Sequence, residues 1–235
     1  IFNSSNVPYT GEGTLVAILD TGCDYAHSAF TTYTVKDPKY DRDYIDGLLS
    51  SPLAYGFSGS ELEAREVYYG NITGNKIAFG YDYADKDPDV MPFENSHGTH
   101  VAGIIGMSAN NEGGIGLAYG TKIMAVKAGQ STGTLASSHI AKAINYAHMM
   151  GADVINMSFG GTSQSYLVET ALEDAFSDCV LVASAGNDGI PTNDADPALY
   201  PKRADVYPAG YSYVLGVMAT DKNGNLASFS NWDYT

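Results

Sequence analysis

Strand-length apolar runs alternating with helix-period segments constrain this chain most, because few folds satisfy that alternation. Lys122-Ile-Met-Ala-Val-Lys127 is an apolar run of strand length. Ser137 to Met150 carries Ile140, Ile144 and Ala147 at helical spacing, with Ser137 placed as an N-cap. Val154 to Ser158 again reads as a strand. Ser165 to Phe176 puts Leu167, Val168, Ala171, Leu172, Ala175 and Phe176 on one helical face. Val180 to Ala183 and Val214 to Met218 are further strands, and Thr14 to Leu19 belongs to the same class. Strands that are apolar along their whole length are buried on both faces, and intervening helices supply the crossovers of a parallel sheet. The expected fold class is α/β, with a central, mostly parallel sheet and helices on both faces.

Residues 31 to 95 break the alternation and are rich in Tyr, Asp, Gly and Ser. They read as a loop-rich insertion of loops and short elements within one domain covering 1–235, a length that buries a substantial core. Hydrophobic residues at 44% against charged residues at 17% are a globular balance. A net charge of −15 with only 12 Lys plus Arg argues against a nucleic-acid partner, which needs clustered cations. No apolar run approaches the roughly 18 residues that cross a bilayer, so no membrane span is expected in this segment. The chain opens at Ile1 and is expected to be part of a longer product. Cys23 and Cys179 are far apart in sequence and read as free thiols.

In open α/β sheets, functional groups gather at the carboxyl ends of strands. Asp20, Ser158 and Asn187 each fall at or just after such an end. Asp20 follows Val16-Ala-Ile-Leu19, so a strand carries its carboxylate inward, where it must be paired or hydrogen-bonded. Asp-Thr-Gly alone is also a turn, and after apolar residues it is a signature of aspartic peptidases. That class needs a second carboxylate to share one proton, and this chain has no second copy. His97, in Ser96-His-Gly-Thr-His-Val-Ala-Gly103, opens a helix through Val101, Ile104 and Ile105. An imidazole there can be held by a carboxylate at one nitrogen and present the other to a substrate, as a general base requires. His100 shares that face, but the pair lacks the spacing, the Glu and the third ligand of a zinc site. His100 is therefore read as a packed or hydrogen-bonded core residue. Asn187, in Ala185-Gly-Asn-Asp-Gly189, is either a turn residue or an amide donor aimed at a developing oxyanion.

Asp20, His97 and Asn187 in that order, with the block His97-Gly-Thr-His-Val-Ala-Gly103, resemble the subtilisin-like serine peptidases. Lys76 to Tyr83 is similar to their large cell-envelope branch. The resemblance covers nearly everything outside residues 31 to 95. It implies a three-layer subtilisin-like fold and a secreted or cell-surface serine endopeptidase acting on an extended peptide or protein substrate. In that reading Asp20 orients His97, His97 is the base, and Asn187 helps bind the oxyanion. Gly151 to Gly161 resembles the strand that pairs with substrate, which assigns Ser158, Phe159 and Gly160 to one wall of the specificity pocket. Gln130 to Leu135, including Ser131 and Gly133, resembles the opposite wall, and Ser184 and Gly186 complete the substrate-binding set. Tyr207-Pro208 falls where the family often has a cis peptide bond.

The loop Ser108 to Gly114 resembles the family's calcium-binding loop, which makes Asn110 a candidate ligand for structural Ca²⁺; a plain surface loop is the other reading. None of the 48 residues after Asn187 matches the Gly-Thr-Ser turn that carries the family's nucleophile. Ser228 and Ser230 lie in an apolar–polar alternation with no helix behind them, and Cys23 sits on the same loop as Asp20. The expectation is a domain truncated before the nucleophile helix, with its serine beyond residue 235. Such a chain is inactive alone and needs the remaining C-terminal part of its own catalytic domain as a partner. The alternative is a non-catalytic subtilisin-like binding or scaffold module.

Overall fold

The computed structural model describes residues 9–31, 47, 76–109 and 113–233. Within them β1 (Leu15–Asp20) precedes α1 (Ser28–Thr31), β2 (Ile77–Asp82), α2 (His97–Gly106) and β3 (Lys122–Lys127). Then come α3 (Ser137–Met149), β4 (Val154–Met157), α4 (Tyr166–Phe176), β5 (Val180–Ser184) and β6 (Leu215–Val217). The strands form one six-stranded sheet in the order β2-β3-β1-β4-β5-β6, with every neighbouring pair parallel. The parallel α/β expectation holds. Within residues 31 to 95, Ile77–Asp82 is a short sheet strand buried along its whole length. Ser137 is the first helical residue of α3 rather than its N-cap, a place taken by Ala136 without a side-chain bond.

α2 and α3 both rest on β1 and β3 yet make no substantial contact with each other, so they lie on opposite faces of the sheet. α4 packs on α3 and on β5, which places it on the α3 side. The β2–α2–β3 and β3–α3–β4 connections both advance in the same direction across the strand order. With helices on opposite faces, these two crossovers have opposite hand, although about 98% of such connections are right-handed. The exceptional geometry carries α2 to the face that the candidate site occupies.

Residues two apart on a strand share a face. Asp20 meets α2 through its side chain, so Val16 and Ile18 also face α2. Gly106 at the end of α2 agrees, because a Cβ there would lie 3.0 Å from Ile123 Cδ1, and Ile123 pairs with Val16. Register carries that face outward through Val154 and Asn156, then Val180 and Val182, then Leu215 and Val217. β1, β2 and β3 are buried at every residue. On the α3 side Ile155, Met157, Leu181 and Ala183 are equally buried, each large side chain contributing about 1.5–3 kcal/mol. On the α2 side Val180 is 56% exposed and Leu215 61% exposed. Half of one sheet face is therefore uncovered among the described residues.

The face of α4 is narrower than its spacing suggests. Val168, Ala171, Leu172 and Ala175 are buried, whereas Leu167 and Phe176 at its edges are exposed.

Candidate active site

Two loops interlock where β1 ends and α2 begins. Gly22 and Gly98 permit the approach: a Cβ on Gly98 would lie 2.2 Å from the Gly22 carbonyl and 3.0 Å from Asp20 Cβ. Gly22 itself has φ +105°, in the region glycine alone enters freely. The glycines of Asp-Thr-Gly and His-Gly-Thr-His thus let the two segments touch. His97 Nδ1 then lies 2.8 Å from Asp20 Oδ1. A carboxylate only accepts hydrogen bonds, so Nδ1 carries the proton, and in the neutral imidazole Nε2 keeps its lone pair. The Asp20 side chain is 4% exposed and the His97 ring 50% exposed. A buried acid behind a half-open imidazole is the arrangement a general base requires. Asp20 Oδ2 is buried with no hydrogen-bond partner among the described residues.

The remaining expectations divide. His100 is exposed rather than packed in the core, because the α2 stripe it shares with Gly103 and Ile104 is uncovered. Ile104 on that stripe is 61% exposed. Gly133, Thr134 and Leu135 share one cleft of 410 Å³ with Phe159, Gly160 and Gly161, which brings the two sequence-assigned walls together. Ser131 opens instead into a neighbouring 570 Å³ cleft with Asp82, Asp85, Asp87 and Asp89. There Lys127 Nζ lies 2.6 Å from both Asp82 Oδ2 and Asp85 Oδ2. Burial opposes the Lys127 charge, but those two carboxylates outweigh it and hold the ammonium above the ordinary lysine range. Ser158 accepts a hydrogen bond from Asn156 Nδ2 at 2.9 Å. The register Leu19–Met157–Ala183 sets Asp20, Ser158 and Ser184 abreast at the carboxyl edge.

Asn187 is exposed in the turn after β5, two strands from Asp20. Sequence reasoning missed what holds that turn. Asn231, 3% exposed, accepts hydrogen bonds from the N–H groups of Asp188 (2.8 Å) and Ile190 (3.3 Å). Its own N–H donates to the Gly186 carbonyl at 3.0 Å. A Cβ on Gly186 would lie 2.5 Å from the Asn231 amide nitrogen, so glycine is needed there too. Ser230 is buried, receives the Ala219 N–H at 2.9 Å and donates to the Asn231 carbonyl, a backbone-bracing role. Cys23 and Cys179 are free and buried. Burial, reinforced by Asp24 and Asp20, pushes the Cys23 thiol up to about 12, so it stays protonated and unreactive at neutral pH. Tyr207–Pro208 is cis. Asn110 lies outside the described residues, and none of the described His, Cys, Asp and Glu residues form a group of three that could hold a metal.

Comparison with known proteins identifies the family. The sequence profile of the subtilase family, peptidase group S8, matches residues 11–235, and the chain belongs to that family. It is 40% identical over 182 residues to the thermophilic serine proteinase of Bacillus sp. strain AK1, covering 75% of this chain and 42% of that protein. It is 31% identical over 234 residues to the minor extracellular protease Epr of Bacillus subtilis strain 168, covering 98% of this chain and 33% of that protein. The chain thus spans less than half the length of these two relatives. A crystal structure of a cold adapted subtilisin-like serine proteinase superposes with a TM-score of 0.66 at 23% identity, covering 97% of this chain and 62% of that one. That likeness establishes the three-layer subtilisin-like fold.

Proposed function

We propose that these residues form the acid–base half of a secreted or cell-surface serine endopeptidase whose nucleophilic serine lies beyond residue 235. The observation that carries the reading is the 2.8 Å contact between His97 Nδ1 and Asp20 Oδ1, with the opposite ring nitrogen left open. His97 Nε2 takes the proton of the serine hydroxyl as it attacks the scissile carbonyl, and Asp20 stabilises the imidazolium that results. Asn187 donates its side-chain amide to the tetrahedral oxyanion. The imidazolium then returns its proton to the leaving amine. An extended peptide lies as an added strand between Gln130–Leu135 and Ser158–Gly161, which the shared 410 Å³ cleft supports. Ser131, Ser184 and Gly186 belong to the same substrate-binding set.

The uncovered α2-side face of β4, β5 and β6 supports a further segment packing there, bringing the serine toward His97. Contiguous apolar surface beyond a few hundred Å² marks such a contact. Subtilases commonly bind calcium; Asn110, the candidate oxygen ligand of the 108–114 loop, lies outside the described residues, and a plain surface loop is the other reading. No helix among the described residues is long and apolar enough to cross a membrane.

A fluorophosphonate probe tests the reading. A longer protein that contains this chain and a Gly-Thr-Ser segment labels, and the 235-residue chain alone does not. In the longer protein His97→Ala abolishes labelling while His100→Ala leaves it. Loss of serine or histidine costs on the order of 10⁶ in turnover in subtilisin, the family's namesake, where that magnitude was measured. Labelling of the 235-residue chain by itself overturns the missing nucleophile and with it the half-site reading.

A further inference from the structure

A closed ring of hydrogen bonds holds the acid–base pair, and two of its members have no role in the reading above. Thr21 Oγ1 donates to the Asn95 carbonyl at 2.9 Å and accepts the Gly98 N–H at 3.2 Å. A hydroxyl has one proton and two lone pairs, so it makes both bonds at once. Asn95 Oδ1 accepts the His97 backbone N–H at 3.0 Å. The Thr21 N–H donates to the same Asp20 oxygen that receives His97 Nδ1, each at 2.8 Å. The circuit therefore runs from Asp20 through Thr21 and Asn95 to His97 and back. Ser96, the residue in the N-cap position of α2, makes no side-chain bond to the helix, so Asn95 and Thr21 are the side chains that satisfy its first turn, at His97 and Gly98. Thr21 is 5% exposed, so its bonds are shielded from competing water.

We propose that Thr21 and Asn95 are positioning residues that set the His97 ring on Asp20 by fixing the angle at which α2 begins. The inference rests on the acid–base reading of Asp20 and His97. Neither residue reaches the ring. Each acts through backbone: Thr21 ties the end of β1 to the loop before α2, and Asn95 ties that loop to His97. Because a displacement of about 1 Å can cost on the order of 10² in rate, the clamp bears on chemistry as well as on stability.

The test uses the full 235-residue chain and no activity. Histidine ring ¹⁵N labelling isolates the His97 Nδ1–H resonance, and its exchange with water reports the hold of Asp20 on the ring. Near-UV circular dichroism establishes that each variant is folded. Thr21→Val keeps the shape of the side chain and removes the hydroxyl. We expect it to speed exchange several-fold to about tenfold, the range for one lost hydrogen bond, and Asn95→Ala to do the same. Thr21→Ser restores the hydroxyl and returns exchange to the parent rate. A purely structural role lowers the unfolding midpoint without changing exchange in the folded state. A folded Thr21→Val with the parent rate overturns the proposal, and if that variant does not fold, Asn95→Ala decides by the same criterion. Absence of any Asp20-held Nδ1–H in the parent chain instead overturns the acid–base reading, and the clamp with it.

Discussion

The two halves of the sheet are built from similar strands and end in opposite states. β1, Leu-Val-Ala-Ile-Leu-Asp, and β5, Val-Leu-Val-Ala-Ser, are comparably apolar. β1 lies between α2 and α3 and is buried at all six residues. Among the described residues β5 has α4 on one side only, so Leu181 and Ala183 are buried while Val180 is 56% exposed. At β6 all three residues are exposed. Strand composition therefore records suitability for burial on two faces, and the neighbouring layer decides whether burial happens. The same difference separates the halves of the candidate site. The Asp20–His97 contact is complete in the covered half, whereas Asn187 stands exposed in the other.

Substitutions at matched apolar positions probe this contrast most strongly. Leu181→Ala is expected to cost about 2–5 kcal/mol in urea unfolding, as for other buried leucines. Leu215→Ala, on the bare face, is expected to stay within about 0.5 kcal/mol. Equal costs would erase the distinction between the halves.

Next in size is a pH effect confined to the covered half. Lys76 is fully buried, and burial, then the Lys122 charge, lowers its pKa to about 7. An unfolded lysine titrates near about 10.4. Between those values the unfolded chain binds more protons, so stability rises with pH from about 7 to about 10, by a few kcal/mol at most. Lys76→Met should remove that slope, as read from unfolding midpoints across the interval. A slope that survives the substitution would assign the effect to other groups.

Gly98→Ala tests the interlock beneath the Asp20–His97 pair. The added methyl would meet the Gly22 carbonyl, which can yield only if the backbone moves, and overpacking of this kind costs about 1–3 kcal/mol. An unchanged unfolding midpoint would show that the two loops are not in contact. The smallest expected effect is on the bare face. Leu215→Lys should leave the midpoint nearly unchanged and reduce binding of a hydrophobic dye; an unaltered dye signal would place the apolar surface elsewhere.

Much of the architecture was legible in local spacing. Residues that recur every second or every third to fourth position report a strand or a helix, and so β1, β3, α3, β4, α4 and β5 were recognisable within one or two residues. The same logic placed Asp20 at the end of a strand and His97 at the start of a helix. What failed locally failed for identifiable reasons. Leu167 and Phe176 fell just outside the face that α3 and the sheet cover. His100 was assigned to a core that, among the described residues, does not extend over its side of α2.

By itself, then, the sequence determined which segments are strands and helices, that the sheet is parallel, and which side chains are chemically able to form an acid–base pair. Only the tertiary structure decided that α2 crosses on the face opposite α3, that the glycines at 22 and 98 bring Asp20 within 2.8 Å of His97, and that Asn231 holds the Asn187 turn. The physical reason is one of range. Periodicity is written between neighbours along the chain, whereas crossover hand, layer coverage and contacts between distant loops arise only when separate elements compete for the same space.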